Sequence, residues 1–171
     1  MTAPGAEDGT GVEGKVTWEL RGPDGQLKRS GTAYNTITQV GDQMYAERGA
    51  GLAGAPAVPT GMKLGAGTTA PAKTGAGAAL VTYLANSHQA FAGTPGSALN
   101  GSVRRITYTA TFAAGKATTA SAINEAVIVN EALADATSAA AATVSRVLLT
   151  GVGSKGAADT LTLTWTHDIG S

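Results

Sequence analysis

The chain has 171 residues and no net charge, with 12 basic and 12 acidic side chains, and only 14% of its residues are charged, against about 25% in an average globular protein. Balanced charge excludes the basic field that nucleic acid or an anionic membrane surface demands. The absence of cysteine excludes disulfides, a thiolate nucleophile and cysteine-ligated zinc.

Residues 1–14 are polar and glycine-rich, without the cationic and apolar regions of a secretory signal. They are expected to form a flexible arm. Residues 15–171 are expected to form a single β-sandwich domain. Val16, Trp18 and Leu20 alternate with Lys15, Thr17, Glu19 and Arg21, the period of a half-wet strand. Pro23-Asp24-Gly25 is a turn, since proline presets φ and glycine accepts a positive one. Gln26 to Asn35 returns as the second strand of a hairpin.

Thr36-Ile-Thr-Gln39 has capping-box spacing. Ile37, Val40, Met44 and Tyr45 follow at helical intervals, and Gly49 ends the run. A short helix over about 37–48 is predicted, packed on the sheet by Ile37, Val40 and Met44.

Residues 49–103 hold only two charges, Lys63 and Lys73, amid Gly, Ala, Thr and Pro. Met62–Leu64 is a short strand candidate, Leu80–Leu84 is a short apolar run that suits strand or helix, and the rest reads as a long loop insertion. Long loops of this kind usually serve an interface. The assembly interface is therefore expected on the arm, at Pro4, Glu7 and Asp8, and along this low-charge stretch, at Leu52, Met62, Tyr83, His88 and Phe91.

After Arg104 the alternation resumes. Ile106, Tyr108, Ala110 and Phe112 oppose Arg105, Thr107, Thr109 and Thr111. Ile123 to Asn130 is apolar on both faces, as in a covered central strand, and Val144 to Thr150 follows. The most regular stretch is the last. Leu161, Leu163, Trp165, His167 and Ile169 take one face, and Thr160, Thr162, Thr164, Thr166 and Asp168 take the other. The expected fold is mainly β: an antiparallel β-sandwich or partly closed barrel of about seven strands with one short helix. Trp18, Trp165, Leu161, Leu163, Tyr108, Phe112 and Val127 are its expected core.

No catalytic, cofactor or metal site emerges. Gly67-Thr-Thr-Ala-Pro-Ala72-Lys73-Thr74 approaches a phosphate loop, but Pro71 removes an amide donor and Ala72 resists positive φ. His88 and His167 lack ligand-spaced partners, and His167 is expected to bond backbone on the inner face. Glu125, alone in an apolar strand, calls for an arginine, with Arg104, Arg105 or Arg146 in reach.

Several blocks, taken in order, resemble a group of small structural proteins of tailed bacteriophage virions. They are Trp18-Glu-Leu-Arg21, Pro23-Asp-Gly25, Tyr34-Asn35, Arg48-Gly-Ala-Gly51, Gly61-Met-Lys-Leu-Gly-Ala-Gly-Thr-Thr69, Arg105-Ile-Thr-Tyr-Thr-Ala-Thr-Phe112, Ile123-Asn-Glu-Ala-Val-Ile-Val-Asn130, Ser145-Arg-Val-Leu148 and Lys155 to Trp165. The resemblance covers roughly 15–169 and implies a non-enzymatic virion component made in the host cytoplasm. Capsid decoration (cement) proteins, which bind the outside of the head shell, lead this expectation. Tail, collar or fibre-anchoring proteins are the alternative, and a glycan-binding host-recognition module follows. The implied partners are the major capsid protein and copies of the chain itself, as a homotrimer. No nucleic acid, membrane or small-molecule substrate is implied.

Overall fold

The computed structural model describes residues 12–170. Nine strands and one α-helix follow in order: β1 (Val12–Arg21), β2 (Leu27–Ile37), α1 (Gln39–Gly49), β3 (Gly61–Gly65), β4 (Tyr83–Ala90), β5 (Gly96–Asn100), β6 (Val103–Phe112), β7 (Glu125–Val129), β8 (Thr143–Leu148) and β9 (Thr160–Ile169). They make one sheet of order β4-β3-β7-β8-β2-β1-β9-β6-β5, antiparallel throughout. The sheet curls into a half-barrel. Its β4 end returns toward β6, where Ala92 N–H donates to Thr109 O at 2.8 Å and Ala117 N–H to Asn86 O at 3.0 Å.

Strand β2 divides the sheet. Most of it pairs with β1, but its last residues, Thr36 and Ile37, pair with Arg146 and Ser145 of β8. In front lie β2, β1, β9, β6 and β5; behind lie β8, β7, β3 and β4. Inward residues of both halves meet in one core. The front contributes Val16, Trp18, Leu20, Tyr108, Phe112, Leu161, Leu163 and Trp165, and the back contributes Met62, Leu64, Ala126, Ile128 and Val147. Burying each such large side chain stabilises the fold by roughly 1.5–3 kcal/mol. Val127 is also buried, but it points outward into a separate small cluster with Leu80 and Val129.

Helix α1 closes one end of the curl. Thr38, not Thr36, is its N-cap: the Thr38 hydroxyl accepts from Gly41 N–H at 3.2 Å. Thr36 and Ile37 extend β2 instead, because the β8 edge offers them a ladder. Thr38 also donates to the Thr143 carbonyl, tying the helix to β8. Met44 enters the core.

Three expectations are corrected. Among the described residues the strands number nine rather than about seven. The segment 49–103 is more than a loop insertion: the strand candidate at Met62–Leu64 is β3, and the segment also supplies β4 and β5, which are polar or glycine-flanked strands without a clear period. Strand β1 starts at Val12, because Val12 and Glu13 find partners in Ile169 and Asp168 of β9. The remainder of the expected arm, with Pro4, Glu7 and Asp8, lies outside the described residues.

Candidate contact face

The outward face of the back half carries three charged side chains, Lys63, Glu125 and Arg146, all buried. Each clamps the chain's own loops over that face. Arg146 donates to Glu125 Oε2 through Nη2 at 2.8 Å and Nε at 3.1 Å, and through Nη1 to the carbonyls of Thr69 at 2.7 Å and Gly77 at 3.1 Å. Glu125 accepts the amides of Gly67 at 3.0 Å, Thr82 at 2.8 Å and Val81 at 3.3 Å. A Cβ on Gly67 would lie 2.4 Å from Glu125 Oε1, so only glycine lets this backbone approach the carboxylate. The first amide of the phosphate-loop-like segment, that of Gly67, is therefore taken by an internal carboxylate. Lys63 donates to Glu131 at 2.9 Å and to the Ala136 carbonyl at 3.0 Å. Burial pushes the Glu131 carboxyl up, but hydrogen bonds from Ser138 and Lys63 outweigh it and hold the group below its ordinary value.

Tyr83 and His88, expected at an interface, belong to a polar clip on β4. Tyr83 OH donates to Asp135 Oδ1 at 2.8 Å and lies 3.1 Å from His88 Nδ1. Partial burial, then the Asp135 bond, push the Tyr83 phenol up to about 12. Asn86 holds φ at +56° while its N–H donates to Asp135. The clip fastens residues 131–138 to the edge of the sheet. Among the described residues no group of three or more histidines and acids gathers as a metal site would require.

His167 bonds side chains rather than backbone. Its Nδ1 lies 2.7 Å from Tyr45 OH, which lies 2.9 Å from Tyr108 OH; its Nε2 lies 3.4 Å from Asn35 Nδ2. One assignment satisfies the chain: Asn35 donates to Nε2, Nδ1–H donates to Tyr45, and Tyr45 donates to Tyr108. Burial pushes the imidazole down to about 3, against the attraction of Asp168, and raises both phenols. Asp168 points outward, where Arg105 holds it through Nε at 2.7 Å and Nη2 at 2.6 Å and keeps its carboxyl below the ordinary value.

The front half is built differently. On β1 and β9 buried and accessible residues alternate, and register aligns the outward ones into rows. Thr32, Thr17, Thr164 and Thr109 form a single row across β2, β1, β9 and β6. Ser30, Glu19, Thr162 and Thr111 form the row on one side, and Tyr34, Lys15, Thr166 and Thr107 the row on the other. Threonine suits this place: its branched Cβ is stiff and strand-forming, and each side chain shows a methyl and a hydroxyl. A groove of about 450 Å³ runs over Thr17, Glu19, Ser30, Thr32, Thr162 and Thr164. Most charges on the face are paired within it, as Arg21 with Glu19 at 2.7 Å and Arg105 with Asp168. Tyr34, 79% exposed, stands in the flanking row.

Of the described residues expected at an interface, Tyr83 and His88 meet in the clip and the others lie apart. Met62 is fully buried in the core, because β3 lies between β4 and β7. Phe91 is half-buried against Tyr108, with ring centroids 5.1 Å apart. Leu52 is exposed beyond α1. The threonine repeats at 107–111 and 160–166 were legible in the sequence, but not that β9 joins them to Thr17 and Thr32.

The fold and this face define an antiparallel half-barrel with one face covered by its own loops and one hydroxylated face that the other described residues leave open. No family model, curated protein or solved structure matches the chain.

Proposed function

We propose that the protein is a structural component of a tailed bacteriophage virion, most specifically a capsid decoration protein that binds the outside of the head shell through the front face. The observation that carries this is the asymmetry between halves. The chain covers the outer face of its back half with its own loops, held by Arg146, Glu125 and Lys63. The outer face of its front half is left as rows of threonine. Stiff, mostly uncharged side chains lose little entropy and little hydration on being covered. The order of the sequence blocks between 15 and 169 supports the virion assignment. Both tryptophans are buried, which counts against a glycan-binding platform. In a shell, many copies act together, so each contact is modest while the particle gains greatly.

Sedimentation of the purified protein with empty heads tests this. Saturable binding with stoichiometry near that of the major coat protein is expected. Binding to tails and never to heads would move the protein to the tail, and binding to neither would remove the virion reading.

A further inference from the structure

Strand β5 ends the sheet on the front side. All its residues are exposed, and Leu99 is 71% exposed. No charged residue occurs from Ala92 to Val103. The strand is not bulged: Gly96 to Asn100 pair in unbroken register with Thr107 to Val103. Monomeric sheet proteins guard a free edge with lysine, an inward charge, a bulge or a cover. Among the described residues only Pro95 stands ahead of the strand.

The turn decides which backbone groups are free. Gly101, at φ +62°, and Ser102 connect Asn100 to Val103, a two-residue hairpin that needs glycine at its positive φ. Asn100 and Val103 are then a hydrogen-bonded pair. By alternation, Ala98 aims its N–H and C=O at β6, while Ser97 and Leu99 aim theirs away from the sheet. A two-fold axis through Ala98 sets Ser97 of one copy opposite Leu99 of the other, on both sides of the axis. Each such pair matches N–H to C=O twice.

We infer that β5 is a self-pairing edge: two copies of this chain join β5 to β5, antiparallel about Ala98, into one continuous sheet. The contact is isologous, so a single surface satisfies both partners. The two Leu99 side chains come to diagonal positions on one face, roughly 7–8 Å apart, and each gains an apolar neighbour. The arginines do not oppose this. Arg104 and Arg105 lie on β6, so each is at least about 14 Å from its symmetry copy, beyond the screening length of about 8–10 Å. Arg105 is also neutralised by Asp168. The pairing is independent of virion docking, because the purified chain alone reveals it.

Sedimentation velocity over a dilution series from millimolar to micromolar protein tests the inference. A reversible monomer–dimer equilibrium is expected. Leu99→Pro removes an outward N–H while leaving the ladder to β6 intact, and should weaken dimerisation at least about tenfold. Ala98→Lys and Ala98→Glu each set like charges across the axis and should also abolish pairing at micromolar protein. Mixing those two variants should restore it as a heterodimer. Should Leu99→Pro fail to fold by circular dichroism, the Ala98 series decides alone. A wild-type chain that stays monomeric throughout would overturn the inference. So would a dimer untouched by Ala98→Lys.

Discussion

The two halves of this sheet use the same backbone pairing and treat their outer faces in opposite ways. Strands β3 and β7 are buried along their whole length, and β8 nearly so, whereas β1 and β9 alternate. The back half hides charge: Lys63, Glu125 and Arg146 point away from the core yet are dry, because residues 66–82 and 131–138 fold over them. The front half shows hydroxyls. A covered face made of ion pairs is specific to the loops that satisfy it, since removing one partner strands the other in a dry site. A threonine face that no loop of the described residues covers stays available to an external partner.

The comparison breaks most severely at Glu125. Glu125→Ala leaves Arg146 buried without its carboxylate, and a loss of about 3–5 kcal/mol is expected in urea unfolding. Limited proteolysis should then cut within 66–82. Glu125→Leu with Arg146→Met should recover only part of the loss, because the amides of Gly67 and Thr82 and the carbonyls of Thr69 and Gly77 also lose partners. In the front half, Leu163→Ala should cost about 2–5 kcal/mol through the cavity it leaves, measured the same way, without exposing 66–82 to protease.

A smaller effect distinguishes the interior network from both faces. His167 is neutral when folded, its value pushed down from 6.5 to about 3. Unfolding below pH 6.5 therefore takes up a proton. The stability it contributes is full above that pH and falls as pH drops from 6.5 toward 3, by up to about 1.4 kcal/mol per pH unit. Unfolding free energies between pH 7 and 5 should show this slope, and His167→Gln should flatten it. The smallest effect belongs to the front face. Thr164→Lys, half-exposed in the central row, should shift unfolding free energy by no more than about 0.5 kcal/mol.

How much of this was legible depends on what covers each strand. Strands β1, β6 and β9 announce themselves because water on one face forces a period of two, visible in Val16-Thr17-Trp18-Glu19 and Thr160 to His167. Strand β7 was readable as an apolar run. Strand β4, Tyr83-Leu-Ala-Asn-Ser-His-Gln-Ala90, was not, because its polar residues take fixed partners, Ser87 the Leu64 carbonyl and Asn86 the Gly115 carbonyl, and leave no period of two. Strand β5 is too small and glycine-bound to show any pattern. Met62–Leu64 was legible as a short strand, but its flanking glycines hid that the strand lies in the core, so Met62 was misplaced at an interface. Glu125 signalled its need for an arginine, but three candidates remained until register set Arg146 diagonal to it across β7 and β8. The threonine rows were visible strand by strand. Their union into one face depends on long-range pairing that no local pattern encodes.

The central claim is that the front face, and not the loop-covered back, meets the partner. Sedimentation of lysine variants with purified phage heads tests it most directly. Thr164→Lys should bind at least about tenfold more weakly than wild type, since a lysine ammonium must be desolvated in a covered face, whereas Ala134→Lys, exposed on the back-half loop, should bind as wild type does. Undiminished binding by Thr164→Lys, with binding lost in Ala134→Lys, would contradict the account.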